Sequence, residues 1–447
     1  MKNMLSSSDK LVLISCSIVS IFLLIPILMI DGIDRFAYPS PDLNAHIWYL
    51  KEVMSSIKEF NNVPIQDQFG YNIGHNLPLF YLIYAVIVKT FQQLNFDLNQ
   101  SLQYSIFFTN FFLISIINFN ILKSIKQIID KKFLQYLILL SIFFSYEIAI
   151  NVWRWIPGIW AFTLSTIVIR YTLEILNNDI SKKRLAKLLV AYGFAFSFKI
   201  SVVSVLVASF FTIFYKFFEW FIENLKDIWM FLFIPIFINF YTFFTTIGWE
   251  RILNNQLKSK YRSEYNLNID SFNEFLFSFQ LSSFIGNEPI RPNYGTMVSV
   301  LDKLSQSLFT FSNNKLFLTI GSYLFVIFLV IHIKFIISST NSKDRNFKQF
   351  LLSAELITII LFVYYSLYLP IGNPSRMRYN LWLILIFFLI TGFQIQGEKK
   401  QSLNYFYFYS AIYSYLIITS HSVFIYMNNL FDYDFDKLLD KALKLLM

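Results

Sequence analysis

Residues 11–30 read LVLISCSIVSIFLLIPILMI, a run with no acidic or basic side chain. At about 1.5 Å of rise per residue, a helix of that length covers the ~30 Å of hydrocarbon in a bilayer. Backbone inside lipid must satisfy its own hydrogen bonds, so an isolated apolar run of this length is helical. Lys2 and Lys10 precede it, and no small-residue cleavage site comes after it. The segment therefore reads as an uncleaved signal anchor with its N-terminus on the cytoplasmic side. Cys16, the single cysteine, sits within the run. It reads as a buried residue of this first span, and no internal disulfide is possible.

The pattern repeats. Further helix-length apolar runs lie at 104–122, 133–150, 157–176, 185–198, 200–216, 228–247, 315–337, 350–370, 379–396 and 403–427, with a shorter one at 77–93. The expected fold class is an all-α, polytopic transmembrane helical bundle of about eleven to twelve spans. Composition agrees. Of 447 residues, 56% are hydrophobic and only 15% charged, against about 45–50% and 25% in soluble domains. The formal charge of +9 is read as Lys and Arg retained in cytoplasmic loops. No nucleic-acid-binding signature accompanies it, so the expected partners are the lipid bilayer and lipid-borne substrates.

Two long polar segments interrupt the apolar runs, 31–76 and 248–314, and the tail 428–447 ends in an amphipathic pattern expected at the membrane surface. Residues 42–60 read as a surface helix within the first segment. The basic clusters are Lys123, Lys126, Lys131 and Lys132; Lys182, Lys183, Arg184 and Lys187; Lys343, Arg345 and Lys348; and Lys399 and Lys400. All are expected on the cytoplasmic side. For the first cluster to fall there, 77–93 is expected to be embedded without crossing, or to form one bent span with the next apolar run; the alternative is an exception to the charge rule. The polar segments, 151–156, 371–378 and the C-terminus then face the outer side, and function is expected there.

The first polar segment carries Tyr38-Pro39-Ser40-Pro41-Asp42-Leu43-Asn44-Ala45-His46. Asp42 and His46 are four apart and share a face if a helix starts at Asp42. Asp42 after a proline also fits a plain N-cap. A carboxylate at a membrane surface beside a His can equally serve as general base toward a hydroxyl. Next comes Gly74-His75-Asn76-Leu77-Pro78-Leu79-Phe80-Tyr81-Leu82, where Pro78 suits the first turn of a helix.

This order of one span, Pro-Asp…His, then His-x-x-Pro-Leu-Phe-Tyr-Leu resembles the GT-C superfamily of membrane glycosyltransferases. The nearest members are those like protein O-mannosyltransferases and aminoarabinose transferases. The resemblance implies a single GT-C-like transmembrane domain over 1–447. It implies an inverting enzyme that moves a sugar from a polyprenyl-phosphate-linked donor to a glycolipid, polysaccharide or protein acceptor at the outer face. The setting implied is the bacterial inner membrane. It carries the family's catalytic acid onto Asp42 and its His onto His46, with His75 at the helix-opening element. Looser matches put Lys199, after Phe196-Ser197-Phe198, and Arg376-Met377-Arg378-Tyr379 at the outer side.

The sequence also departs from the family pattern. Leu43 and Asn44 leave Asp42 without an adjacent acid, and the next outer loop, Asn151-Val152-Trp153-Arg154-Trp155, supplies none. Members that use a divalent metal (Mg or Mn) hold it with such acids, so the resemblance leaves a metal open. Cations can also stabilise a leaving phosphate directly. Lys199, Arg376, Arg378, Arg154 and Arg291 are the candidates, since interfacial cations are costly and usually functional. Plain alternatives are headgroup contacts for Arg376 and Arg378, a cation–π anchor for Arg154 between Trp153 and Trp155, and a local pair with Glu288 for Arg291. Two other functions fit the same layout. A polysaccharide polymerase or ligase would use Arg291 and 248–314 but leave Asp42 without a role. A lipid-linked-sugar flippase or transporter would be expected to show internal repeats, and none is seen.

Overall fold

In the computed structural model, residues 5–28, 50–51, 53–54, 78–143, 158–178, 180–198, 202–239, 333, 335–337, 342–368 and 382–397 are described. All regular structure among the described residues is helical. The helices are α1 (Ser7–Leu28), α2 (Pro78–Gln93), α3 (Leu98–Ile128), α4 (Lys132–Phe143) and α5 (Gly158–Asn177). They continue with α6 (Lys182–Phe198), α7 (Val203–Lys216), α8 (Phe218–Leu232), α9 (Ile234–Ile238), α10 (Ser342–Tyr368) and α11 (Trp382–Gly397).

Two of these, α3 and α5, are long and apolar enough to cross a membrane, and α7 with α8–α9 would count as a third but for a bend of 105°. The 31 residues of α3 extend about 46 Å. The 16 of α2 reach about 24 Å, short of the hydrocarbon thickness. A four-residue turn joins the two, with Asn95 at φ 67. Asp97 then caps α3 in a reciprocal capping box with Gln100, which satisfies two donors that a helix start leaves open. So α2 is a separate short helix and not the first half of one bent span. The basis of the eleven-to-twelve span count lies partly outside the described residues.

Side-chain contacts fix the direction of each helix. Lys126, near the end of α3, donates to Asp9 at the start of α1 at 2.5 Å, and the two helices pack along one another. Tyr136, in the first turns of α4, donates its hydroxyl hydrogen to Asp9 at 3.0 Å and lies 3.0 Å from the Ser8 hydroxyl. Asn177 at the end of α5 donates to Gln127 of α3 at 2.9 Å. Lys216 at the end of α7 donates to the Leu176 carbonyl at 2.5 Å, and Lys182 at the start of α6 pairs with Asp227 of α8 at 2.6 Å. Gly392 of α11 packs on Ile129 and Ile138. Phe393 packs on Phe335 at 5.6 Å, and Lys348 of α10 lies over that same ring.

One end of the bundle thus gathers the starts of α1, α4, α6 and α10 with the ends of α3, α5, α7 and α11. Lys123, Lys126, Lys131, Lys132, Lys182, Lys183, Arg184, Lys187, Lys216, Arg345 and Lys348 all sit on these stretches. We call it the basic end. Among the described residues, α1, α3, α4, α5, α6, α7, α10 and α11 then run between this end and the opposite one.

Several boundaries differ from the sequence reading. Lys123 and Lys126 were expected in a loop, yet both ride the last turns of α3, and Lys123 is buried. A helix can extend past its apolar run when its charges find partners, here Asp9 for Lys126. Residues 217–227 were expected to link two spans, and 228–247 to be one. Instead α8 begins at Phe218, directly after α7, and breaks at Phe233 ahead of Pro235. Cys16 is buried as expected. On α1 it shares a stripe with Ser20, Leu24 and Ile27, while Leu11, Ile14, Ile18 and Phe22 face outward, the division expected of a helix between bundle and lipid.

Candidate functional site

At the end opposite the basic one, α6 finishes beside the start of α5. Phe198 stacks on Trp160 with ring centroids 4.6 Å apart and planes 6° from parallel. The indole Nε1 of Trp160 is buried and has no hydrogen-bond partner. On the other side of α6, Asn239 closes α9. Its amide nitrogen donates to the Gly193 and Pro235 carbonyls at 2.9 and 2.8 Å, and its oxygen accepts from Ser197 at 2.7 Å. The close approach needs Gly193, where a Cβ would stand 2.6 Å from Ile238 Cδ1. Trp382, which opens α11, donates from Nε1 to Thr358 of α10 at 3.4 Å. Side-chain hydrogen bonds of this kind hold helices together where lipid supplies no hydrophobic drive, averaging ~0.6 kcal/mol each.

The nine site residues expected from sequence, Asp42, His46, His75, Arg154, Lys199, Arg291, Arg376, Arg378 and Tyr379, all lie outside the described residues. So do the amphipathic tail 428–447 and segment 248–314. What the described residues give is the set of helix ends that border them. Leu28 ends α1, ahead of Asp42, His46 and His75. Phe143 and Gly158 bound the stretch with Arg154, and Phe198 and Val202 bound Lys199. Asn239 precedes the stretch with Arg291, and Tyr368 and Trp382 bound Arg376, Arg378 and Tyr379. Each of these helix ends is directed away from the basic end. Of the helix-opening element, Pro78 is the first residue of α2, and Phe80, Tyr81 and Tyr84 behind it are buried in a mutual aromatic cluster.

The sequence reading missed a polar layer near the basic end. Arg170 of α5 donates to Glu174 at 2.8 Å and to Asn120 of α3 at 3.1 Å. Its guanidinium also lies over Phe119 and Tyr171. The signal was an Arg and a Glu four apart inside an apolar run, a spacing that places both on one helix face. Ionisable groups inside a span mark function by default, but these two are mutually satisfied and join α3 to α5. Closer to the middle of α3, both amide atoms of Asn118 are buried without a partner. Among the described residues no group of three or more His, Cys, Asp or Glu side chains could hold a metal ion.

No protein-family model matches the chain, and no curated protein matches it significantly. Among solved structures it is similar to the crystal structure of ArnT from Cupriavidus metallidurans bound to undecaprenyl phosphate. The similarity has a TM-score of 0.49 and 11% identity, over 95% of this chain and 72% of that one.

Proposed function

We propose that this protein is an inverting membrane glycosyltransferase of GT-C type, taking a sugar from a polyprenyl-phosphate donor at the end of the bundle opposite the basic one. Asp42 removes the proton of an acceptor hydroxyl. The oxygen attacks the anomeric carbon, and the bond to the donor phosphate breaks. Lys199 with Arg376 or Arg378 offsets the charge that develops on that phosphate. His46 and His75 orient Asp42 or the substrate. Arg154, Arg291 and Tyr379 complete the polar lining, and segment 248–314 provides the acceptor side. General-base assistance of this kind is worth ~10²–10⁴ in rate.

One observation carries the reading. The helix ends at Leu28, Phe143, Gly158, Phe198, Val202, Asn239, Tyr368 and Trp382 point away from the end that holds the lysines and arginines of α3, α5, α6 and α7. If the basic end is cytoplasmic, the reactive groups meet a lipid-phosphate sugar whose phosphate lies in the outer headgroup layer. The test is a mass-spectrometric profile of envelope glycans from cells carrying wild type, Asp42→Asn or Asp67→Asn at equal membrane abundance, beside a deletion strain. Loss of the same sugar in Asp42→Asn and in the deletion supports the reading. A wild-type profile for Asp42→Asn, with a changed deletion profile, overturns the site and favours a polymerase or flippase.

A further inference from the structure

We propose that the seam between α3 and α5 at the basic end binds the phosphate of an anionic phospholipid from the adjoining leaflet. The site is separate from the catalytic one and does not depend on it. One stripe of α3 shows which way the seam faces. Phe108 and Phe112 are 53% and 63% exposed, Phe119 is half-buried, and the Lys126 side chain keeps 16% of its exposure. At ~100° per residue these four and Lys123 fall within about 60° around the axis. Helix α5 borders the stripe through Asn120 and Gln127, and α1 meets it at Lys126. On α1, Leu11, Ile14 and Ile18 also face outward. Large apolar side chains this exposed, on the flank of a transmembrane bundle, have acyl chains as neighbours. The stripe therefore faces lipid, and its cations sit where it reaches the basic end.

Arg170 reaches onto the stripe from α5. Its guanidinium lies over Phe119 at 5.1 Å and over Tyr171 at 5.0 Å, and Lys123 lies over the same Phe119 ring at 5.8 Å. Glu174 accepts from Nε at 2.8 Å and Asn120 from Nη1 at 3.1 Å. A guanidinium carries five N–H donors. Among the described residues, the other three and the Tyr171 hydroxyl take no hydrogen bond. Two bonds and two rings hold the guanidinium plane, with its Nη2 donors unengaged. Arginine takes phosphate oxygens through such paired donors.

Depth and charge identify the phosphate as a lipid's. Arg170 lies seven residues before the end of α5 and Lys123 five before the end of α3. Those distances are roughly 8–11 Å, comparable to the polar layer of one leaflet. Glu174 is the acid beside Arg170, and it occupies the Nε edge, leaving the Nη2 edge to a ligand. The lysines and arginines gathered at this end favour a headgroup of net negative charge over a zwitterionic one.

The purified full chain is titrated with phosphatidylglycerol, phosphatidylcholine or soluble glycerol 3-phosphate, and occupancy is read by native mass spectrometry. Phosphatidylglycerol should bind more tightly than phosphatidylcholine, and glycerol 3-phosphate should not bind. Tyr171→Phe removes a donor but keeps the ring under the guanidinium. It should weaken phosphatidylglycerol binding about three- to tenfold without lowering the melting temperature of the lipid-free protein. Arg170→Gln should weaken binding further, with some loss of stability from the broken tie to α3. Lys183→Gln, at an exposed lysine of α6, should leave the affinity within about twofold. Equal weakening by Lys183→Gln would mean diffuse attraction to the basic end. Equal affinity for phosphatidylcholine would mean no headgroup selection, and binding of glycerol 3-phosphate would mean a soluble ligand. Unchanged affinity in Tyr171→Phe and Arg170→Gln would put the lipid elsewhere. Each of these four results overturns the proposal.

Discussion

The carboxylate of Asp9 is fully buried and takes its 2.5 Å bond from Lys126, whose side chain keeps 16% of its exposure. Tyr136 and the Ser6 amide complete its shell, so one acid joins α1, α3 and α4. Breaking a buried pair by removing one partner typically costs ~3–5 kcal/mol. Asp9→Ala should lower the thermal midpoint of the purified protein more than Lys126→Ala does. The remaining partners of Asp9 soften the second change. The double variant should be less damaged than the sum of the two. Additive losses in a double-mutant cycle would show that the two side chains are not coupled.

Ser209 of α7 receives the hydroxyl of Tyr192 at 2.6 Å and also bonds Thr172. The two hydroxyls are not equivalent in what their removal leaves behind. Tyr192→Phe removes one donor while Ser209 keeps Thr172, at a cost of about 1 kcal/mol. Ser209→Ala strands the buried Tyr192 hydroxyl and is expected to cost ~1–3 kcal/mol. Thermal or denaturant unfolding in detergent should rank them in that order. The reverse ranking would refute the arrangement.

Gly193 admits α9 against α6. A methyl there would meet Ile238 Cδ1 at 2.6 Å and the Pro235 backbone at 3.1 Å. The isoleucine tip can rotate, but the proline cannot. Gly193→Ala should therefore destabilise by ~1–3 kcal/mol, as overpacking does, and Ile238→Ala in the same chain should recover only part of the loss. Full recovery would mean that Pro235 contributes nothing to the constraint.

The alternation of the helices makes a topology prediction. Lys132 and Lys183 are exposed at the basic end, and Asn99 is exposed in the first turn of α3. In a Cys16→Ser background, a membrane-impermeant maleimide should label N99C on intact cells. It should reach K132C and K183C only after permeabilisation. Labelling of all three from one side would refute the directions assigned to α3 and α6.

Much of the fold was legible because apolar run length is a local property. The run 157–176 became Gly158–Asn177, and Pro78 opened a helix as its fixed backbone favours. Helix α8 was not legible. Glu219, Glu223, Lys226 and Asp227 read along the chain as a break between spans, whereas around an axis they occupy one third of a helix. The ends of α3 were missed for a related reason. Lys123 and Lys126 read as loop charges until Asp9, distant in sequence, supplies a partner. The expected catalytic residues came from motif order in polar segments, and they lie outside the described residues.

The Asp9 shell bears on how the protein is made. Asp9 enters the membrane machinery with the first helix, but its partners lie 117 and 127 residues further along. At ~5–20 residues per second of synthesis, Lys126 emerges roughly 6–23 s later. Through that interval the carboxylate must stay hydrated at the rim of the insertion channel, and α1 cannot settle to its final depth. Arrival of α3 and α4 discharges that wait, so α1 is locked only after both of those helices have been made.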